Sequence, residues 1–547
     1  MKGIAGRFMK GMLSVAVSCA LLLGGCAPVQ SQGDAAAQET DLRPAVDRVI
    51  FTIGSDKMYI GTREYTIETP YLVNDTTLVP VRAVAEGLGA EVGWDGDTRR
   101  VSVQKDGVDV ALTLDSTGAQ INGQTVELLC APALNGDTTM VPIRVISEAF
   151  GMEVIYDAVK ENVVVAKRSF PDAVTVDAAE IDAAKDFICE KIAQTADKFV
   201  DGQFPHGSTD GKYIPESPGW VGGFYTGLNY LCYEFSGDEA YRSKAEEASE
   251  TLKTLFYNDK QVYNHDLGFT FVLSYYQDYL LTGSEDSKQV VIDAGDALLA
   301  RANEELGYIQ GWNVWGGDEF SQDNQYRMIA DSMCNIPLLF ICSELTGDSK
   351  YYDGAVQHAR LTQQYLVRND YTSAHTFVFT PDGEPKYEQT HQGAADDSCW
   401  ARGQAWIING MAYAYAKTGD TSFLDTAKNC ADTYFLKTQQ DLIPKWDLDY
   451  QRFASEPLDS SAAGIIACGL MQIYDSTGDE FYYEAAKRIF KTLYESYSTK
   501  DDPDNEGLIL HATGHKPNGQ NIDVSLIYGD YYFAELTERL GEKLENQ

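Results

Sequence analysis

The sequence has 547 residues, and its 82 Asp and Glu residues outnumber its 43 Lys and Arg residues, giving a formal net charge of −39. This balance excludes a duplex nucleic-acid binder, because that class of protein neutralises phosphates with basic side chains. The composition, 44% hydrophobic and 23% charged, is typical of a folded protein, and the length predicts more than one domain.

The first 25 residues are typical of a secretory signal peptide. Basic residues precede an apolar run from Met12 to Leu23, and the LGGC sequence at 23–26 resembles a bacterial lipobox, in which Cys26 becomes the lipid-bearing N-terminus. Residues 26–44 are then predicted to form a flexible tether. We therefore expect a lipoprotein on the extracellular face of the cytoplasmic membrane of a Gram-positive bacterium. The alternative is a non-lipidated signal peptide with an incidental cysteine.

Residues 45–168 contain two copies of one pattern, because residues 77–82 (TLVPVR) match residues 139–144 (TMVPIR). Each copy predicts a turn, a short helix at 81–88 or 143–150, and strands that follow, which together indicate a small α+β repeat domain. The repeat resembles the copper amine oxidase N-terminal-like module. It contains no histidine that could bind copper. We interpret it as a spacer or a cell-wall contact domain.

Residues 175–547 alternate long helical stretches with short loops that contain glycine. A glycine in the left-handed conformation ends a helix, and a following Asp or Ser caps the next one, so each loop predicts a helical hairpin. Six such loops with irregular spacing favour an all-α (α/α)6 barrel over a solenoid of regular repeats. The glycines are Gly237, Gly283, Gly347, Gly419, Gly478 and Gly541.

A residue with a chemically useful side chain lies 16 to 19 positions before each of these glycines, near the start of the helix that the glycine ends. In a closed ring of hairpins the six helix starts gather at one mouth, so we expect the site there. Asp is common in first helical turns, which explains the acids but not a Trp or an Arg at these positions. The six residues are Trp220, Asp266, Asp331, Arg402, Asp459 and Asp523.

The side chains of the second domain point to carbohydrate chemistry. The sequence has no His-Glu-x-x-His or Gly-x-Ser-x-Gly motif, and its ten cysteines form no Cys-x-x-Cys pair. Six of the seven tryptophans lie in this domain. An aromatic-lined cleft with two carboxylates suits a sugar, because rings stack on pyranose faces and one acid and one base suffice for glycoside chemistry.

Four strings in this domain resemble the unsaturated glucuronyl hydrolases of glycoside hydrolase family 88. They are residues 264–269 (NHDLGF), 330–339 (ADSMCNIPLL), 392–406 (QGAADDSCWARGQAW) and 523–532 (DVSLIYGDYY). The resemblance implies an (α/α)6 barrel, with Asp331 as general acid/base and Asp266 as the second carboxylate. It also implies that the planar fork of Arg402 binds the substrate carboxylate, and Trp312 could take the place of Trp315. The implied substrate-binding residues are Trp220, Trp315, His375, Gln392, Trp400, Arg402 and Trp406.

The resemblance also implies the reaction. Polysaccharide lyases leave a C4=C5 double bond in the terminal uronic acid, and a carboxylic acid can protonate C4. Water activated by the same group then adds at C5, and the resulting hemiketal opens to release the neighbouring sugar. The second carboxylate stabilises the positive charge that develops at C5, and no metal or organic cofactor is required.

Two other functions stay open at this point. An unsaturated rhamnogalacturonyl hydrolase would share the fold and the hydration chemistry but act on pectin fragments, although residues 265–269 (HDLGF) favour the glucuronyl side. A non-catalytic, lipid-anchored glycan-binding protein is disfavoured, because a binding module has no need of both Asp266 and Asp331. Since every candidate site residue lies in the second domain, we expect residues 175–547 alone to retain activity.

Overall fold

A computed structural model describes residues 41–170, 172–258 and 264–546. The predicted signal peptide and its lipidation site, Cys26, lie outside these residues. Among the helices that are described, none combines the length and the apolar character that a membrane span requires.

Residues 45–169 form a β-rich domain built on the predicted repeat. Its short helices are α1 (Val81–Gly87) and α2 (Ile143–Ala149), which agree with the two predicted helices to within one residue. Each begins after a proline and is followed by a glycine with positive φ, +76° at Gly89 and +65° at Gly151. The strands are β1 (Ala45–Thr52), β2 (Lys57–Ile60), β3 (Arg63–Thr66), β4 (Tyr71–Val73), β5 (Thr76–Pro80), β6 (Glu91–Asp95), β7 (Arg100–Lys105), β8 (Val108–Thr113), β9 (Gly118–Ile121), β10 (Gln124–Glu127), β11 (Ala133–Asn135), β12 (Thr138–Pro142), β13 (Glu153–Asp157) and β14 (Asn162–Ser169).

Three antiparallel sheets connect the two repeats. Their strand orders are β13-β14-β1-β2-β3, β10-β9-β8-β7-β6 and β11-β12-β5-β4. In the last sheet the matching strands of the two repeats pair with each other, with Val79 opposite Val141. Both valines are buried in a core formed by the inward faces of the three sheets and the two helices. The repeats therefore fold together as one unit.

The rest of the described chain is mainly helical, with short strands in the loops. The helices are α3 (Ala178–Thr195), α4 (Gly222–Ser236), α5 (Glu239–Asn258), α6 (Leu267–Phe271), α7 (Tyr275–Thr282), α8 (Glu285–Leu299), α9 (Glu319–Gln322), α10 (Pro337–Thr346), α11 (Ser349–Tyr365), α12 (Ala401–Thr418), α13 (Thr421–Lys437), α14 (Ser460–Thr477), α15 (Glu480–Thr492) and α16 (Ile527–Glu545). The strands are β15 (Ser208–Thr209), β16 (Lys212–Tyr213), β17 (Arg327–Ile329), β18 (Thr376–Phe379), β19 (Pro385–Gln389), β20 (Ala512–His515) and β21 (Gln520–Val524).

Five of the six predicted hairpin turns are present. Their glycines end α4, α7, α10, α12 and α14 in the left-handed conformation, with φ between +68° and +74°. The predicted caps also form, because the side chains of Ser284, Asp348, Asp420 and Asp479 accept hydrogen bonds from the first turns of the helices that follow. Local sequence decides these turns, so they could be predicted without knowledge of the packing.

The sixth predicted turn, at Gly541, is wrong. Helix α16 continues through Gly541 to Glu545. A side chain at this position would lie only 3.1 Å from the Ile181 side chain of α3, so the glycine allows close helix packing instead of ending a helix. The sixth helical pair is formed by the two ends of this part of the chain, with α3 against α16.

Six helices pack side by side in the order α4, α6, α10, α12, α14 and α16, and α16 returns to contact α4. The helices that pack against them from outside are α5, α8, α11, α13, α15 and α3. Along α14 every residue from Ser460 to Tyr474 is buried, whereas α5 buries one face. The N-terminal ends of the inner helices lie near one another and form the mouth that holds the site.

Candidate active site

A cavity of about 260 Å³ lies at this mouth. Five of the residues that we predicted for the site line it, namely Trp220, Asp266, Asp331, Gln392 and Arg402. Three further lining residues were not among our predicted binding residues: Asn264, His265 and Trp312. The first two lie in the string that identified Asp266, so their closeness in sequence was the available signal. Trp312 was considered only as a substitute for Trp315.

The two candidate acids stand at neighbouring helix starts. Asp266 immediately precedes α6, and Asp331 lies in a 3₁₀ turn, Ala330–Cys334, that leads into α10. The two segments touch because Gly268 has no side chain, and a Cβ there would come within 2.4 Å of the Asn335 backbone. The Asn335 side chain joins the segments, since it accepts from the Phe269 backbone N–H at 2.8 Å and donates to the Asp331 carbonyl at 3.1 Å. Packing therefore brings both carboxyl groups to one wall of the cavity.

Burial makes both carboxyl groups hold their protons more tightly. It raises the pKa of Asp331 to about 7, while the nearby positive charge of Arg402 acts in the opposite direction. Burial also raises the pKa of Asp266 well above its usual range, and the neighbouring Asp331 carboxylate raises it further. The pair therefore retains at least one proton near neutral pH, which is the property that a general acid needs.

Two neutral histidines stand beside the acids. His265 Nε2 lies 3.2 Å from Asp266 Oδ1, and His375 Nε2 lies 3.9 Å from Asp331 Oδ2. Burial lowers the pKa of His265 to about 3 and that of His375 well below its usual range. His375 Nδ1 accepts the backbone N–H groups of His391 and Gln392 at 3.1 and 3.3 Å. His375 thus lies beside Asp331 and is hydrogen-bonded to the loop that carries Gln392.

Arg402 is the second residue of α12, and its guanidinium group already has partners. One terminal nitrogen donates to Asp459 Oδ2 at 2.8 Å and to the Thr513 carbonyl at 2.7 Å, and the other donates to the Gly514 carbonyl at 2.7 Å. The group also lies 4.5 Å from the ring centroid of Trp400. Three of its five N–H donors are therefore engaged, and the Asp459 carboxylate balances part of its charge, while Arg402 still lines the cavity.

The tryptophans divide into those that face the cavity and those that do not. Trp220 and Trp312 line it, whereas Trp400 and Trp406 are buried behind it. Trp406 packs between Phe269 and Tyr532 under the floor of the cavity. Trp315 is 54% exposed and lies 5.6 Å from Trp312, centroid to centroid, which places it at the rim. The sequence assigned these tryptophans to one site but did not show how deeply each side chain is buried.

Asp523 does not join the site. It lies on β21 before α16, its side chain is 57% exposed, and its partner is His511 at 2.6 Å. It is not at the start of a helix as expected, because three residues, Val524 to Leu526, separate it from the start of α16 at Ile527. In the ranges that the structure describes, no three His, Cys, Asp or Glu side chains are close enough together to hold a metal ion.

The fold is that of a helical-barrel enzyme with two buried carboxyl groups at its mouth, and comparisons with known proteins give its family. Residues 192–541 match Glycosyl Hydrolase Family 88, and residues 60–165 match the copper amine oxidase N-terminal domain. The chain belongs to glycoside hydrolase family 88. This confirms the resemblance found in the sequence, and it confirms that the protein is an enzyme of the glycosidase class.

Relatives of known name cover the same helical part of the chain. The unsaturated glucuronyl hydrolase of Bacillus sp. strain GL1 is 36% identical over 64% of this chain and 93% of that relative. The unsaturated chondroitin disaccharide hydrolase of Streptococcus pyogenes serotype M1 is 32% identical over 65% of this chain and 90% of its own length. The crystal structure of the Bacillus enzyme matches with a TM-score of 0.63 at 34% identity, covering 66% of this chain and 97% of that one.

Proposed function

We propose that the protein is an unsaturated glucuronyl hydrolase, which removes the terminal 4,5-unsaturated uronic acid from oligosaccharides made by polysaccharide lyases. The observation that carries this proposal is the acid pair, Asp266 and Asp331, which keeps a proton near neutral pH at the wall of a polar cavity. The names of the relatives support a substrate of the glycosaminoglycan type over the pectin fragments of the rhamnogalacturonyl alternative.

In the proposed reaction, Asp331 protonates C4 of the unsaturated ring, and positive charge develops at C5 and the ring oxygen. The ionised Asp331 then takes a proton from a water molecule that adds at C5. The hemiketal that forms opens and releases the neighbouring sugar. Asp266 stabilises the developing charge, and the neutral His375 lies beside Asp331, 3.9 Å from its Oδ2. No step needs a metal or an organic cofactor.

The cavity walls suggest how the sugar is held. Trp220 and Trp312 offer ring faces to the pyranose, and Trp315 at the rim is placed to meet the next sugar. Gln392 offers polar contacts. Arg402 attracts the substrate carboxylate through its positive charge and through the N–H donors that Asp459 and the two backbone carbonyls leave free. Trp400 and Trp406 act from behind, where they fix the positions of Arg402 and of the cavity floor.

The test is to incubate the full-length protein with unsaturated disaccharides from chondroitin, hyaluronan, heparin and pectin lyases. Loss of the ultraviolet absorbance of the C4=C5 double bond, with release of the neighbouring sugar, measures turnover. Turnover of glycosaminoglycan disaccharides supports the proposal. Turnover of the pectin product alone would favour a rhamnogalacturonyl hydrolase, and binding without turnover would favour a glycan-binding protein.

We also propose that the closed succession of six inner and six outer helices is an (α/α)6 barrel, and that lipid on Cys26 holds the enzyme at the outer face of the cytoplasmic membrane. The packing order of the helices supports the first point, and the lipobox-like sequence supports the second. Replacing Cys26 with Ala should release the protein from the membrane fraction or block its processing. If this variant stays in the membrane with unchanged mobility, the lipidation proposal is wrong.

A further inference from the structure

The β-rich domain and the helical domain meet in a buried interface with hydrogen bonds, an ion pair and a shared apolar core. Arg168 donates to both carboxylate oxygens of Asp432 at 2.7 and 2.8 Å, and Asp432 is fully buried. Arg48 donates to the Asn429 carbonyl at 2.9 Å and to the Thr433 hydroxyl at 3.0 Å. Side chains of the first domain also belong to the core of the second, namely Ile50, Ile155, Val164 and Ala166. A spacer has no need of such an interface.

Part of this interface falls on one loop of the helical domain, residues 366–375, which we name the His375 loop. It joins the end of α11 to β18 and carries His375 as its last residue. The Tyr371 hydroxyl donates to Asp157 Oδ2 at 3.0 Å, and the Asn162 side chain donates to the Asn369 carbonyl at 2.9 Å. Tyr371 and Asn162 are fully buried. Two hydrogen bonds, at Asn369 and Tyr371, thus attach the loop to the first domain.

The conformation of the loop needs outside support. Tyr371 has a φ of +62°, in the left-handed region that residues other than glycine and asparagine rarely adopt. A residue in this conformation is strained and persists only where its surroundings determine it. Besides Asp157, the surroundings include Gln404 on α12, which donates to the Tyr371 carbonyl at 2.9 Å. Gln404 lies two positions after Arg402, so the same contact joins the loop to the site helix.

The loop reaches the acid pair through its backbone as well as through His375. The Ala330 N–H donates to the His375 carbonyl at 3.0 Å, directly before Asp331. Arg368, at the other end of the loop, donates to the Ser398 carbonyl at 3.2 Å, in the segment that carries Gln392. A displacement of this loop therefore moves His375, the turn that holds Asp331 and the loop that holds Gln392.

We propose that the β-rich domain is a positioning element of the catalytic unit, in which Asp157 and Asn162 hold the His375 loop and so keep His375 and Asp331 in register. These two are positioning residues, since neither touches the cavity. The inference goes beyond the proposed function by giving the first domain a part in turnover, and its kinetic test rests on that function. It is an alternative to the sequence-based interpretation of this domain as a spacer or a cell-wall contact, and it opposes the expectation that residues 175–547 alone retain activity.

The test is a double-mutant cycle with Asp157→Ala and Tyr371→Phe in the full-length protein. Tyr371→Phe keeps the ring and removes only the hydroxyl that Asp157 holds, so we expect it to fold. Both variants should lose about tenfold in kcat with KM changed less than about twofold, because small misplacements of catalytic groups cost rate more than binding. The double variant should be no worse than the single ones, because all three break the same contact.

The matched control is Lys428→Gln, which removes an ion pair with Glu153 in the same interface, away from the His375 loop. It should leave kcat unchanged. A merely structural role would not alter the pH profile, whereas a loosened loop admits water beside Asp331 and lowers the pKa that burial raises. The alkaline limb of the pH–rate profile should therefore move to lower pH in Tyr371→Phe and stay in place in Lys428→Gln.

Hydrogen exchange of residues 366–375 gives a readout that does not depend on the substrate. Exchange should quicken in Asp157→Ala and Tyr371→Phe but not in Lys428→Gln. If the wild-type protein turns over no unsaturated disaccharide, the proposed function fails. The exchange rates then still test whether the first domain holds the loop. Wild-type kcat and pH profile in Tyr371→Phe, or exchange equal to that of Lys428→Gln, would overturn the inference.

Discussion

Replacing Asp331 with asparagine removes the proton that the proposed reaction delivers to C4 and keeps the shape of the side chain. With a pKa of about 7, about half of the wild-type molecules carry this proton at pH 7. An exposed aspartate would carry it in roughly one molecule in a thousand, so burial increases the fraction of molecules with a protonated Asp331 at pH 7 by roughly 500-fold. We expect Asp331→Asn to lose about 10² to 10⁴ in kcat, the usual range for general acid–base catalysis.

The assay is the loss of ultraviolet absorbance of an unsaturated disaccharide under saturating conditions, with binding measured separately by calorimetry. Binding should change little, because the amide occupies the same space. The matched control is Asp530→Asn. Burial raises the pKa of Asp530 to about 7 as well, but its carboxylate accepts from the Tyr213 hydroxyl and from the Leu508 and Ile509 backbone. It does not line the cavity, so its variant should keep kcat within about threefold.

The same substitution should change stability in a direction that depends on pH. Because the folded-state pKa of Asp331 is raised, the folded protein binds a proton more tightly than the unfolded chain, and ionisation of Asp331 costs stability as the pH rises from about 4 to about 7. A rise of about three pKa units corresponds to at most about 4 kcal/mol at pH 7. Asp331→Asn should therefore raise Tm at pH 7 and have little effect at pH 4. A lower Tm at pH 7 together with a kcat within about threefold of wild type would refute this reasoning.

Three further expectations concern pH, a charged partner and the bond that water attacks. Turnover should fall as the pH rises above about 7, because Asp331 then loses the proton that it donates, and a flat pH–rate profile to pH 9 would contradict this. Arg402→Lys should destabilise the protein by about 1–3 kcal/mol in chemical denaturation and lower kcat/KM, since an ammonium group cannot serve Asp459 and two carbonyls at once. In ¹⁸O-water with early hydride trapping, the label should enter at C5 of the uronic acid, and early label at C1 with a surviving double bond would indicate ordinary glycoside hydrolysis.

The parts of the fold that the sequence predicted are those decided by neighbouring residues. A glycine followed by Asp or Ser ends one helix and caps the next within a few positions, so five hairpin turns were correct. Gly541 carries the same local pattern, but it lies inside α16 because Ile181, some 360 positions earlier, packs against it. Local signals cannot separate a glycine that ends a helix from one that makes room for another helix.

The candidate site shows the same division. Motifs identified Asp266 and Asp331, and the spacing before Gly237 identified Trp220; all three line the cavity. The burial of Trp400 and Trp406 behind the cavity depends on which face of α12 points inward, and a short sequence motif does not show the orientation of a helix. The partners of Arg402 come from segments 57 to 112 positions away. Long-range contacts therefore decide how each motif residue is used.

A raised carboxyl pKa does not by itself identify the catalytic acid of this enzyme. Asp331 and Asp530 both have a pKa of about 7 through burial, yet both carboxylate oxygens of Asp530 accept hydrogen bonds, from the Tyr213 hydroxyl and two backbone N–H groups. Asp331 Oδ2 is buried without a hydrogen-bond partner within the described residues, and the Asp331 residue lines the cavity. Arg402 is close enough to lower the pKa of Asp331, but Asp459 neutralises part of its charge. The helix starts thus supply both the acid and the balance of charges that leaves it protonated near neutral pH.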